Sequence, residues 1–309
     1  MGQFALMKKF VFERTPAAIP QDDIPVRSIS LHELEAQRDT PDTHIYRLGH
    51  STVLMKFGPD YWITDPVFSA RVSPSQMVGP KRFHHPPISV DDLPHLKGVV
   101  ISHNHYDHLD KSAIKRLNGK VEQFIVPLGV AKYLKQWGVG ADRITELGWW
   151  QSHNHGNLTI TATPTQHFSG RGLLDGNKSL WASFVIQHGE QSIFFGSDSG
   201  YFDGFAKIGR HFGAFEVTML ETGAYSTAWP QVHMTPEQTL QAHQDLGGGV
   251  LMPIHNATFK LSFHPWKEPL ERIAQLAVNA DIPLLTPHIG DRVVVGQPIS
   301  TNHWWANTR

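Results

Sequence analysis

Six consecutive residues carry the strongest chemical signal in this 309-residue chain: His103-Asn104-His105-Tyr106-Asp107-His108. Their three imidazoles and one carboxylate are donors that suit zinc or a similar divalent ion. The apolar run Lys97–Ser102 directly precedes them and predicts a buried strand. Because side chains alternate along a strand, His103 and His105 are expected to point the same way, and a turn would bring Asp107 and His108 round to them. The pattern therefore favours a metal site over a solvated histidine-rich loop.

The composition limits what else the chain can do. It contains 20 histidines and no cysteine, which excludes a disulfide scaffold, a cysteine nucleophile, an iron–sulfur cluster and a thiolate zinc site. Any metal must then be held by histidine and carboxylate. The 27 Lys+Arg and 28 Asp+Glu residues give a net charge of −1, which argues against a protein built to neutralise phosphate backbones. We expect no nucleic-acid partner.

The elements that must position these residues are short strands with helices distributed among them. Alternating runs predict strands at Thr43–Leu48 and Ser51–Phe57, and residues Phe68–Pro87 read as a long loop. Further strands are predicted at Gln123–Val126, Leu158–Ala162, Ala182–Gln187, Ser192–Gly196, Val217–Glu221 and Val250–Ile254. Helices are predicted at Lys111–Leu117 with Asp110 as its N-cap, Val130–Trp137, Pro236–Asp245 with Thr235 as its cap, and Lys267–Ala280. This order predicts a layered α/β sandwich.

Two domain-level expectations accompany this reading. Residues 1–42, punctuated by proline and aspartate, are expected to form an arm packed on the body, and residues 43–309 are expected to form a single domain.

The pair His153-x-His155 repeats the ligand spacing without a nearby carboxylate, so a surface loop is expected there.

A His-x-His-x-Asp-His segment after a β-strand resembles the metallo-β-lactamase superfamily of binuclear metallohydrolases. A closer resemblance, covering about Tyr46 to Asp291, is to the branch containing N-acylphosphatidylethanolamine-hydrolysing phospholipase D and its bacterial relatives. The segments that carry it are Thr64-Asp65-Pro66-Val67-Phe68, Gly79-Pro80-Lys81-Arg82-Phe83, His103 to Asp110, His167-Phe168-Ser169-Gly170-Arg171 and Met252-Pro253-Ile254-His255. The Gly-Pro-Lys-Arg and His-x-x-x-Arg elements narrow the superfamily to this branch.

The resemblance implies an αββα sandwich of the metallo-β-lactamase type and seven metal ligands. His103, His105 and His167 would hold one ion, Asp107, His108 and His255 would hold the other, and Asp198 would bridge them. His167, Asp198 and His255 each follow a predicted strand, as the resemblance requires. Zinc is the favoured metal, with Mn²⁺ or Fe²⁺ as alternatives, and His105 in place of a glutamate points to hydrolysis rather than oxygen reduction.

Two residues are candidates for supporting the ligands from behind. Metal-bound histidines usually pass their second N–H to a carboxylate or a carbonyl, which fixes the tautomer. Asp65 is the first candidate for such a partner, with a simple Asp-Pro turn as the alternative. His50 is the second, with a structural histidine in a hairpin as the alternative.

Three cations and one further histidine are candidates for contact with substrate. Lys81, Arg82 and Arg171 could bind a phosphate or a carboxylate near the metals, since arginine forks match phosphate oxygens; solvated surface cations are the alternative. His233 precedes a helix and could touch substrate or shuttle a proton, or else cap local backbone. We count His233 with Asp107 and Asp198 as the candidate catalytic residues.

The function expected from these residues and the resemblance is that of a zinc-dependent phosphodiesterase of phospholipase D-like type. A hydroxide bridging the two metals would attack phosphorus, and the substrate would be a small-molecule or lipid phosphodiester. One alternative is a lactone or other acyl-ester hydrolase on the same metals, and another is a non-catalytic metal-dependent binding or sensing protein. No apolar run approaches the ~20 residues of a membrane span. We expect a cytoplasmic protein, with peripheral membrane contact through Met1–Phe12 left open.

Overall fold

Short apolar runs separated by turns build most of the secondary structure, which the computed structural model describes for residues 15–172, 174–298 and 301–309. The helices are α1 (Leu31–Gln37), α2 (Lys111–Leu117), α3 (Ala131–Gln136), α4 (Gly204–Phe212), α5 (Pro236–Asp245) and α6 (Glu268–Asn279), with short 3-10 helices at Ala141–Arg143 and Trp304–Asn307. The strands are β1 (His44–Gly49), β2 (Thr52–Phe57), β3 (Asp60–Thr64), β4 (Leu96–Val100), β5 (Val121–Pro127), β6 (Ile144–Leu147), β7 (Ser152–His155), β8 (Leu158–Thr163), β9 (Ser183–His188), β10 (Gln191–Phe195), β11 (Phe215–Glu221), β12 (Gly248–Ile254) and β13 (Arg292–Val294).

The strands form two sheets that face each other. One sheet has the order β13-β1-β2-β3-β4-β5-β6 and the other the order β12-β11-β10-β9-β8-β7. Apolar side chains from both sheets meet in a shared core, while α2 and α3 cover the outer face of the first sheet and α4, α5 and α6 cover that of the second. The predicted αββα sandwich is thereby confirmed.

Strands β1 and β2 differ from their sequence pattern in one respect. Alternation of apolar and polar residues predicts a strand with one face exposed to solvent. Every residue of both strands is buried, however. Ile45 points into the core between the sheets, whereas Tyr46 and Leu48 pack into the core beneath the helices. Both faces are covered because each sheet lies between the other sheet and a helix layer.

Two helix starts are confirmed in detail. The Asp110 carboxylate accepts hydrogen bonds from the backbone N–H groups of Ser112 and Ala113 at the start of α2. Thr235 and Gln238 form a reciprocal capping box at the start of α5. In both cases a short polar side chain satisfies N–H groups that the first helical turn leaves free.

Asp110 also holds the start of the long loop. Its other carboxylate oxygen accepts hydrogen bonds from the backbone N–H groups of Phe68 and Ser69 at 3.1 and 2.8 Å. We expect Asp110→Ala to lower the free energy of unfolding by about 2–3 kcal/mol, since a helix cap and two loop contacts are lost together. Urea unfolding at equal metal content measures this. Ser30→Ala is the matched control, because Ser30 caps α1 through the single N–H of Glu33. If the two variants lost equal stability, Asp110 would be acting as a cap alone.

The segment His153-x-His155 was expected to be a surface loop, and that prediction is wrong. Residues 152–155 form the edge strand β7, which pairs antiparallel with β8. His153 and His155 share the half-buried face of this strand, while Ser152 and Asn154 are exposed. The period of two that places histidines at ligand spacing also suits an edge strand.

The described part of the predicted arm runs along the body of the protein. Val26 forms a parallel bridge with Ile289, and the side chain of Leu34 is fully buried. Asp22 pairs with Arg309 at the other end of the chain. The segment Met1–Phe12 lies outside the described residues, and the division at residue 42 stays a prediction. No helix in the described ranges combines the length and the apolar character needed to cross a membrane.

Strand directions bring four chain segments to one edge of the second sheet. Strands β10, β11 and β12 are parallel neighbours, and β8 runs in the same direction because it and β10 both lie antiparallel to β9. Their carboxyl ends therefore meet at one edge, and β4 of the facing sheet ends in the histidine-rich segment. The candidate site is built from the loops that leave these strands.

Candidate metal centre

The structure brings all seven predicted ligands together in two groups. Donor atoms within each group lie within 4.8 Å of one another. One group consists of His103, His105, His167 and Asp198, and the other of Asp107, His108 and His255 together with His50. This grouping has the same division that the sequence resemblance implied, with His50 added to the second group.

Asp198 lies between the two groups. Its Oδ2 is 3.1 Å from Nε2 of His108 in the second group and 3.6 Å from Nε2 of His167 in the first. Its Oδ1 is 3.1 Å from Nε2 of His255. A carboxylate in this position can face two cations at once, which is the arrangement that a bridging ligand needs.

The donor atoms fit divalent metal ions better than they fit one another. Nε2 of His108 and Oδ1 of Asp198 are buried without a hydrogen bond in the described residues, although each has a close polar neighbour. The distances are short but the angles do not suit hydrogen bonds, as expected for atoms aimed at a common point. Imidazole nitrogens and carboxylate oxygens are also the donor set of zinc and its neighbours.

Charges in the centre perturb one another strongly. Burial acts to raise the pKa of Asp198, but His108 and His255 outweigh it and hold that pKa well below its usual range. Burial likewise opposes the positive charge of His255, yet Asp198 and Asp107 raise its pKa to about 10. The carboxylates of Asp198 and Asp107 thus stabilise positive charge at this point of the molecule.

Four residues other than glycine have strained backbone conformations around the centre. His50, Asp65, Ser197 and His255 all have positive φ values, of 52°, 36°, 51° and 60°. Residues other than glycine adopt this conformation rarely, and such strain tends to collect at functional sites. Each of these residues lies within two residues of the end of a strand, in the turns that border the centre.

Asp65 lies directly behind the ligand His108. Its Oδ2 accepts from Nδ1 of His108 at 2.7 Å and from the hydroxyl of Ser102 at 2.6 Å, and its Oδ1 accepts from the backbone N–H of Ser102 at 2.7 Å. With Nδ1 occupied in this way, Nε2 of His108 is the nitrogen that faces the centre. The geometry is that of a carboxylate that orients a metal-ligating histidine.

His50 is fully enclosed beside the second group. Its Nε2 is 3.1 Å from Oδ2 of Asp107, and its ring centroid is 3.9 Å from that of His255. Burial and the neighbouring His255 lower the pKa of His50 to about 3. A neutral His50 can donate to the Asp107 carboxylate and hold it in place.

The sequence reasoning missed Glu221, the last residue of β11. Its side chain is fully buried and accepts from Nδ1 of His233 at 2.7 Å and from the backbone N–H of Met234 at 2.7 Å. The His233 ring stacks on that of His255 at 5.3 Å. A signal existed in the sequence, because Glu221 ends a strand between the predicted strands that precede Asp198 and His255.

The three predicted substrate-binding cations lie in different settings. Lys81 is exposed on the long loop. Arg82 is buried against the ring of Phe259, and it donates to the carbonyl oxygen of Val67 at 2.5 Å. The Nη1 of Arg171 donates to carbonyl oxygens of the loop that carries the ligands. The structure thus gives Arg82 and Arg171 positioning contacts with the protein, and their contact with substrate stays a prediction.

Comparison with known families identifies one match over most of the chain. The model of the β-lactamase superfamily domain matches residues 61–256, which include all seven predicted ligands. An uncharacterized protein of Mycobacterium tuberculosis is 42% identical over 296 residues, covering 94% of this chain and 78% of that protein.

A second relative has a named activity. The N-acyl-phosphatidylethanolamine-hydrolyzing phospholipase D 1 of Caenorhabditis elegans is 34% identical over 267 residues, covering 82% of this chain and 74% of that protein. Among solved structures, the metallo hydrolase Igni18 of Ignicoccus hospitalis superposes with a TM-score of 0.61 at 20% identity, covering 83% of this chain and 99% of that one. At this identity the superposition shows a shared fold.

Proposed function

Because the chain belongs to the metallo-β-lactamase superfamily and is a metal-dependent hydrolase, we propose that it cleaves a phosphodiester bond with two zinc ions. The observation that carries the proposal is the position of Asp198 between two groups of histidine and aspartate donors. The phosphodiester class is supported by the identity shared with the phospholipase D of Caenorhabditis elegans. The alternative of a non-catalytic sensor finds no support among these relatives.

Different residues of the centre have different roles in this proposal. His103, His105 and His167 would hold one ion, Asp107, His108 and His255 the other, and Asp198 both. Ions bound there would polarise a phosphoryl oxygen and lower the pKa of water, which would supply a nucleophile at neutral pH. Asp65 fixes the orientation of His108 from behind.

His233 is placed for proton transfer. Glu221 accepts its Nδ1–H at 2.7 Å, which leaves Nε2 as the nitrogen free to serve the substrate. The ring is partly exposed beside His167 and His255, so it can reach a group bound at the centre. We assign the doubly protonated form of His233, whose Nδ1–H the Glu221 carboxylate accepts, to donating its Nε2–H to the departing alkoxide.

A substrate panel tests the proposed bond. Metal-replete enzyme is assayed with bis(p-nitrophenyl) phosphate, p-nitrophenyl phosphate, a series of lactones and a thioester. We expect turnover of the diester at a kcat/KM at least about tenfold above every acyl substrate, and we expect His233→Ala to lower kcat by about 10²-fold for a dialkyl phosphodiester, whose leaving group is an alkoxide. A lactone preferred over the diester would move the assignment to the acyl-ester alternative.

A further inference from the structure

A groove of about 550 Å³ lies between the long loop of residues 68–87, helix α2 and Arg171. A groove of this size suits part of a small molecule. Tyr106, which lines it, stands between the predicted ligands His105 and Asp107. The groove is therefore continuous with the loop that carries the metal ligands.

The described residues that line the groove give it a positive charge. They include four cations, Arg71, Lys111, Lys115 and Arg171, and one carboxylate, Asp110, so positive charges exceed negative ones by three. Both oxygens of Asp110 are already occupied by backbone N–H groups. This excess is local, because the whole chain has a net charge of −1.

The two lysines are not neutralised by neighbouring side chains. Elsewhere on the surface Lys97 pairs with Glu122, and Lys267 pairs with Glu271. For Lys111 and Lys115, which are four residues apart on one helix, the described part of the chain offers no such partner. Like charges at this spacing destabilise one another, and a bound anion would relieve the repulsion.

Aromatic rings hold the fourth cation in place. The guanidinium of Arg171 lies over the ring of Tyr106 at 3.9 Å and near that of Trp137 at 5.4 Å. Its Nη1 donates to the carbonyl oxygens of Asn104 and Leu109 at 2.8 and 2.6 Å. Arg171 is thereby a fixed positive charge in the groove wall, while the lysines are free to move toward a ligand.

We propose that this groove binds an anionic group, a phosphate monoester or a carboxylate, on the part of the substrate that is not cleaved. The proposal rests on the proposed function, since it gives the groove a role in choosing among diesters. An anion there faces Arg71, Lys111 and Lys115, whereas a quaternary ammonium group would be repelled by the same charges. The groove thus selects the charge of the uncleaved part of the substrate, and the metal centre selects the bond that is hydrolysed.

The first test compares three p-nitrophenyl phosphodiesters of similar size, whose second ester group ends in a carboxylate, a hydroxyl or a quaternary ammonium group. At low ionic strength we expect kcat/KM for the carboxylate to exceed that for the hydroxyl by about five- to tenfold. The ammonium compound should be the poorest substrate. Added salt should reduce these differences.

Groove variants identify where the preference arises. The pair Lys111→Glu with Lys115→Glu should invert the order of the three substrates, and the milder pair Lys111→Gln with Lys115→Gln should abolish it. The matched control is Lys207→Glu with Arg210→Glu, two exposed cations on α4, and it should keep the wild-type order. Metal content and circular dichroism should be the same in all of them.

Calorimetric titration of the metal-loaded proteins with glycerol 3-phosphate separates this proposal from the proposed function. We expect binding to weaken about tenfold in the glutamate pair and to be unchanged in the α4 control. Diester turnover without a charge preference and without this weakening would overturn the groove proposal and leave the phosphodiesterase standing. Weakened binding with no diester turnover would support the groove and refute the phosphodiesterase, and the absence of both effects would overturn both.

Discussion

Asp198→Ala is expected to lower diester turnover by at least about 10³-fold and to reduce the bound metal. Asp198 contacts donors of both groups, with His108 at 3.1 Å on one side and His167 at 3.6 Å on the other. Removing it takes away a carboxylate that faces both groups, and the positive charges in the centre then repel each other without it. Elemental analysis and steady-state kinetics on the same preparation measure the two effects.

Two controls separate this loss from a general defect. Asp39→Ala removes an exposed aspartate after α1 and should leave both metal content and turnover unchanged. Asp198→Asn keeps the shape of the side chain but not its charge, so it should resemble Asp198→Ala. Wild-type rate and metal content in Asp198→Ala would remove Asp198 from the site.

Asp65→Asn carries the second largest expected effect. The substitution keeps the volume of a fully buried side chain but replaces a carboxylate that accepts from His108 and Ser102. An amide in that place no longer stabilises the tautomer that leaves Nε2 of His108 facing the centre. Metal affinity should fall about 10- to 100-fold, as for other residues that support metal ligands.

Ser102→Ala is the matched comparison for this prediction. It deletes the hydroxyl that donates to Asp65 but leaves the contact between Asp65 and His108 intact. Its metal affinity, measured by competition with a chromogenic chelator, should fall much less than that of Asp65→Asn. Equal losses in the two variants would mean that Asp65 stabilises the loop in general and does not act on His108.

The family resemblance pointed to the predicted ligands, and their places just after apolar strands agree with it. Asp198 and His255 come within three residues of the ends of β10 and β12, and the parallel order of these strands brings the two side chains to one edge. Asp110 and Thr235 were visible as caps for a similar reason. At Asp198 and His255 the sheet topology agrees with the sequence pattern, and at Asp110 and Thr235 the helix caps agree with it.

Other features depend on contacts between distant segments and carry little local signal. Glu221 reads as an ordinary strand end until the fold brings His233 beside it. Arg82 and Arg171 were candidates for substrate contact, with solvated surface cations as the alternative, and neither reading foresaw the backbone carbonyls that accept hydrogen bonds from them. His153 was misread because an edge strand and a loop expose similar residues.

The most direct test of the central claim is the number of metal ions bound per chain. Protein purified with a metal supply and freed of loosely bound ions is measured by elemental analysis together with an exact protein concentration. We predict about two ions per chain, held by seven ligands in two groups. A reproducible value near zero after metal-replete preparation would contradict it.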